Sequence, residues 1–155
     1  MRRSLVLLFA FILCASLLTG CAQKDQYSVY QYPVHPGMEE WEKVRGDHSA
    51  MLEACRLPEE CLKADTASLL GCVLTYPLLV DAFTSSTFKE NPADFLAKDF
   101  SGMKELLSRE DLAQTAKTFE IDKLEFYSEN QKKVASHMLT YLQVYPDYPT
   151  ASAGN

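Results

Sequence analysis

The sequence predicts an all-α fold, an irregular bundle of five or six helices of unequal length behind an N-terminal signal peptide and linker. Three observations predict it. Apolar residues between Met38 and Tyr145 recur at spacings of three and four, the period of a helix with one buried face. No run shows sustained alternation of apolar and polar residues or the turn chemistry of a hairpin. Prolines and capping side chains punctuate the chain at intervals suited to short helices. With 47% apolar residues, eight Phe and eight Tyr in 155 residues, the chain can build a core and is no disordered polyelectrolyte.

The elements follow in order over a helical domain of residues 38–145. Met38, Trp41, Val44, His48, Met51, Leu52 and Cys55 define a first amphipathic helix. Pro58 opens a short helical turn carrying Leu62, because a proline pushes the residue before it, Leu57, out of the helical region. Asp65 or Thr66 caps a helix whose apolar face is Leu69, Leu70, Val73 and Leu74. Tyr76-Pro77 breaks or kinks it, and Leu78, Leu79, Val80, Ala82 and Phe83 continue as a buried segment. Residues 84–90 are polar and read as a surface loop. Asn91 and Pro92 supply a cap and a first-turn proline to a helix that turns Phe95, Leu96, Phe100, Met103 and Leu107 inward. Ser108 to Asp111 is a capping-box-like start for a helix with Leu112, Ala113, Ala116 and Phe119. Asp122 can cap the last and longest helix, with a buried stripe of Leu124, Tyr127, Gln131, Val134, Met138, Leu142 and Tyr145. Pro146 and Pro149 close it, and residues 146–155 are expected to form a disordered tail.

Ahead of the domain, residues 1–20 have the parts of a secretory leader: Arg2 and Arg3, an apolar run from Leu5 to Leu18, then small residues. The run is shorter than the roughly 20 apolar residues a transmembrane helix needs, and Gln23, Lys24, Asp25 and Gln26 follow it. The tetrad Leu18-Thr19-Gly20-Cys21 resembles the lipobox of bacterial lipoproteins. The resemblance implies that the Cys21 thiol carries a diacylglyceryl group, that the leader is cut before it, and that the domain is held on the outer face of the bacterial cell membrane. Sulfur is the strongest nucleophile available for that alkylation, and two acyl chains give stable anchoring where one gives reversible attachment.

Cleavage removes Arg2 and Arg3 and takes the net charge from −6 to −8. An acidic balance of this kind argues against a nucleic-acid partner. Residues 21–37 then read as the lipidated cysteine and a flexible linker, whose 16 residues after Cys21 reach roughly 20–25 Å. Its Tyr27, Tyr30 and Tyr32 are linker or interfacial aromatics, with a glycan-stacking platform or an edge strand as the sharper alternatives.

Past Cys14 and Cys21, three cysteines remain, an odd number that leaves at least one thiol unpaired. A small-loop disulfide between Cys55 and Cys61 is geometrically feasible across Arg-Leu-Pro-Glu-Glu, while three small buried hydrophobes is the favoured reading. His35, His48 and His137 lack partners at metal-ligand spacing, so neither a metal nor another cofactor is expected, and His48 and His137 read as half-buried helix residues. The isolated glycines build no phosphate loop, and no Gly-x-Ser-x-Gly elbow occurs. The pairs Glu39-Glu40, Glu59-Glu60 and Glu110-Asp111 fall at helix starts, where they complement the dipole.

Four stretches, Met51 to Cys55, Leu57 to Glu60, Val73 to Asp81 and Phe100 to Asp111, resemble an uncharacterised family of secreted or lipidated helical proteins from Gram-positive anaerobes, with Tyr76-Pro-Leu-Leu79 the most distinctive part. The resemblance spans about 60 of 155 residues, departs at Ser101 and around residues 63–67, and implies a helical module with no activity attached.

Asp81, inside Leu78-Leu-Val-Asp-Ala-Phe83, is the acid drawn furthest into apolar sequence and marks a candidate cleft. The expectation is a membrane-anchored lipoprotein whose domain binds a protein or envelope material. The alternatives are a small cell-envelope enzyme with a site near Asp81 and, third, a solute-binding lipoprotein. An enzyme or solute binder should show a deep pocket with converging polar groups, and a protein-binding module an exposed apolar patch.

Overall fold

The computed structural model describes residues 27–84 and 91–145. The expected leader, the expected lipobox residues Leu18, Thr19 and Gly20, the expected lipid attachment site Cys21, residues 85–90 of the expected 84–90 loop and the expected tail 146–155 all lie outside the described residues. Within them the fold is all-α: α1 (Glu39–Val44), α2 (His48–Ala54), α3 (Glu59–Leu62), α4 (Thr66–Leu74), α5 (Asp81–Thr84), α6 (Pro92–Leu96), α7 (Ser101–Leu107), α8 (Leu112–Thr118), a 3-10 turn (Ile121–Lys123) and α9 (Glu129–Leu142). No helix among the described residues is long and apolar enough to cross a membrane.

The bundle is organised by α4. Eight of its nine residues are buried, so it is apolar all round, and a helix of that kind sits in the middle of a protein. It packs against α3, α7, α8 and α9. Leu69, Leu70, Val73 and Leu74 are fully covered, each contributing about 1.5–3 kcal/mol of transfer free energy. Asp65 starts this helix as expected, its carboxylate accepting from the Ser68 amide at 2.9 Å and the Ser68 hydroxyl at 2.8 Å. These bonds favour the ionised form and hold the Asp65 carboxyl below its ordinary value. Asn91 caps α6 as expected, accepting from the Ala93 amide at 2.8 Å, with Pro92 in the first turn. Leu74 ends α4 just before Tyr76-Pro77, where the break is expected.

Several boundaries differ from the sequence expectation, each for an identifiable reason. The helix expected from Met38 to Cys55 is two, because Gly46 adopts φ +94° and ends α1, while Asp47 caps α2 by accepting from the Ala50 amide at 3.0 Å. The helix expected from Pro92 to Leu107 is also split. Phe100 is extended (φ −117°, ψ 107°), and its ring stacks on Tyr76 at 3.8 Å. Tertiary stacking here overrides helical spacing. The last helix begins at Glu129, since Ser128 accepts from the Gln131 amide at 3.1 Å while the Gln131 side chain accepts from the Tyr127 amide at 3.0 Å. Asp122 instead lies in the 3-10 turn and pairs with Lys132 at 2.7 Å. Asp111 precedes α8 without a side-chain capping bond, and its carboxylate accepts from the Thr66 hydroxyl at 2.7 Å. Val80 and Phe83, expected inside, are 36% and 37% exposed, while Leu78, Leu79 and Ala82 are buried.

From Tyr27 onward, the stretch expected to be a flexible linker is laced to the domain. Tyr27 stacks on Phe119 at 4.3 Å, Tyr32 is buried and its hydroxyl donates to the Cys72 carbonyl at 3.0 Å, and the Ser28 amide donates to the Ser68 hydroxyl at 3.1 Å. The Tyr30 amide donates to the Cys72 sulfur at 3.2 Å. Gly71 leaves room for the strap, since a Cβ there would stand 2.6 Å from Val29 Cγ2. Aromatic burial outweighs the coil-like composition of this segment.

Candidate functional site

Asp81 is half-buried at the edge of a cavity. A cavity of about 150 Å³ is lined by His48 and Leu52 of α2, Tyr76 and Leu78 after α4, Asp81 of α5, Phe95 and Leu96 of α6, and Asp99 and Phe100 before α7. Its floor is aromatic and buried: Tyr76 is 1% exposed and lies flat against Phe100, their rings inclined by 6°. The Tyr76-Pro77 break makes the site. It turns the chain out of α4 so that Tyr76 points under the cavity and Asp81 begins a new helix at its edge.

The rim is polar. His48 Nε2 stands 3.9 Å from Asp99 Oδ2, with both side chains more than half exposed. Burial pushes the Asp81 carboxyl above its ordinary value, and the charge of His48 pulls it back. Burial also raises the Tyr76 phenol, with the charges of Cys55, Asp81 and Asp99 adding to the shift. Leu52, Tyr76, Asp99 and Phe100 are shared with a second cavity of about 380 Å³ that runs along α2 past Glu53, Arg56 and Glu59. The two form one acidic groove, in which Arg56 is already paired with Glu53 at 2.6 Å.

A raised carboxyl destabilises the fold when ionised. The native chain holds the Asp81 proton to higher pH than the unfolded chain, so stability falls as pH rises from the ordinary carboxylate range through the raised native value. Asp81→Asn is therefore expected to raise the melting temperature at pH 7 and leave it unchanged near pH 3. The gain is modest, because half-burial screens the charge. Melting curves of both proteins at the two pH values check this; a lower melting temperature for the variant at pH 7 contradicts it.

The other predicted residues are dispersed. His137 and His48 are exposed rather than half-buried, His137 lying edge-on to Phe83 at 6.5 Å. His35 stacks on Tyr127 at 5.0 Å beside a cavity of about 230 Å³ also lined by Tyr30 and Tyr32. The polar groups of that cavity are turned inward: Gln131 donates to the Thr75 carbonyl at 2.7 Å and accepts from the Tyr127 amide. No group of three His, Cys, Asp or Glu side chains that could hold a metal occurs among the described residues.

Cys55, Cys61 and Cys72 are free thiols in this structure, Cys55 and Cys72 buried and Cys61 partly so. Burial pushes Cys55 and Cys72 up to about 11, which suppresses their thiolates at neutral pH. Titration of the denatured, unreduced processed chain is expected to find three thiols; finding one would establish a bridge.

His48 and Asp99 are the site residues that sequence reasoning missed. Neither has a local signal, since each reaches the cleft from a different element. No family model, no curated protein and no solved structure matches the chain.

Proposed function

We propose that this protein is a lipid-anchored extracytoplasmic lipoprotein, tethered by a diacylglyceryl group on Cys21 to the outer face of a bacterial membrane, whose helical domain binds a protein or envelope partner. The leader and the tetrad Leu18-Thr19-Gly20-Cys21 support the anchor. The observation that carries the binding reading is the Asp81 cleft, bordered in sequence by the exposed apolar side chains of Val80 and Phe83. At about 150 Å³ the Asp81 end of the groove admits one side chain or small group. Its lining sets carboxylates, an imidazole and a phenol beside apolar side chains, a mix suited to gripping one side chain of a partner.

A photo-crosslinking amino acid at Phe83 in intact cells tests the reading. The expected result is a discrete adduct that disappears when Val80 is changed to Asp. No adduct, or one indifferent to that change, contradicts it.

A further inference from the structure

The groups around the Asp81 cleft specify a ligand chemistry. Tyr76 is 1% exposed, lines the cavity, and its hydroxyl has no hydrogen-bond partner among the described residues. Among the described residues the sealed side-chain polar atom without a partner is Asn91 Nδ2, so the Tyr76 hydroxyl is not closed off; it opens onto the cavity, where a polar atom of a ligand can meet it. The Asp81 carboxylate, half-buried at the same cavity, likewise accepts no hydrogen bond among the described residues. Asp99 meets only the imidazole of His48, at 3.9 Å, beyond hydrogen-bond range. Three acceptors thus face one space. Arg56, the guanidinium of the adjoining groove, is occupied by Glu53.

We propose that this cleft binds a primary alkylammonium group. An ammonium carries three N–H donors and no acceptor, one donor each for Asp81, Asp99 and the Tyr76 hydroxyl. The stem lies against Leu52, Phe95 and Leu96, and the aromatic walls favour a cation over a neutral head group. Cavities of about 150 Å³ hold a molecule the size of benzene, which matches a four- or five-carbon stem with its ammonium. The head group comes from a free amine or from a lysine side chain of a partner. A neutral alcohol of the same length lacks both charge and donors.

The inference deepens the reading of the domain as a binding module and is independent of the lipid anchor. The full chain, purified in a nonionic detergent, is titrated with pentylammonium, with Nα-acetyl-lysine methylamide and with 1-pentanol, and binding is followed by the NMR shifts of aromatic protons. Both ammonium compounds are expected to saturate and the alcohol to bind at least about tenfold more weakly, the usual discrimination of a charge-assisted hydrogen bond. Tighter binding of the lysine derivative assigns the site to a protein partner, and tighter binding of the free amine to a small molecule. Asp81→Asn is expected to weaken both about tenfold or more. Tyr76→Phe keeps the ring stack and is expected to weaken both while leaving the melting temperature unchanged. Equal binding of the alcohol, indifference to Asp81→Asn, or no binding of either ammonium overturns the proposal, and none of these results bears on the crosslinking at Phe83.

Discussion

Tyr76→Ala is expected to destabilise the domain by about 3–5 kcal/mol, the range for truncating a fully buried large aromatic. The ring is 1% exposed, stacks on Phe100 at 3.8 Å and meets Tyr32 edge-on at 5.6 Å. It therefore ties three parts of the chain together: the N-terminal strap, the turn after α4 and the residue that breaks α6 from α7. Against a total of about 5–15 kcal/mol, such a loss leaves the domain near its threshold. Urea unfolding followed by circular dichroism should show a lower midpoint at unchanged slope. Tyr76→Phe should unfold with the wild type, because it removes only a hydroxyl that has no partner among the described residues. A wild-type midpoint for Tyr76→Ala would mean that the stack does not hold the fold.

Cys21→Ala is expected to have the largest effect in cells. On the proposed diacylglyceryl attachment, removing the sulfur removes the anchor point of two acyl chains, worth about 0.8 kcal/mol per buried methylene, and attachment should drop from stable to absent. Incorporation of labelled palmitate should vanish, and the protein should leave the washed membrane fraction. A Cys21→Ala protein that retains label and membrane association would place the anchor elsewhere.

Features decided by a few adjacent residues were legible in the sequence. Asp65 and Asn91 cap because an acceptor side chain stands two or three residues before an amide that lacks a helical partner, and Pro77 breaks because it has no amide hydrogen. Two boundaries had local signals that hydrophobic spacing masked. Arg45-Gly46-Asp47 is a left-handed stop followed by a cap, and Ser128-Glu-Asn-Gln131 is a capping box sitting inside an apolar stripe that runs on through it.

Other features had no local signal. Phe100 breaks its helix to reach Tyr76, and Tyr27 and Tyr32 bind the strap to α4 and to Phe119, decisions made by partners remote in sequence. The cleft divides the same way. Asp81 was legible as an acid within an apolar run, whereas His48, Asp99 and the Tyr76 hydroxyl join it only through the packing of α2, α5 and α6 around the end of α4. Half-burial of His48 failed because Gly46 re-aims α2 and leaves the imidazole at the rim.

The strap also changes what a lipid on Cys21 would do. With residues from Tyr27 onward packed on the domain, only residues 22–26 separate Cys21 from the folded part, so a lipid on that cysteine would hold the acidic groove close to the membrane rather than roughly 20–25 Å away. A partner would then be met at the envelope surface.

The intact mass of the protein extracted from membranes, with its N-terminal peptide sequenced, tests the central claim most directly. The account predicts a chain that begins at Cys21 and carries a diacylglyceryl thioether on that sulfur. A chain that retains residues 1–20, or one that begins elsewhere with an unmodified Cys21 thiol, would contradict it.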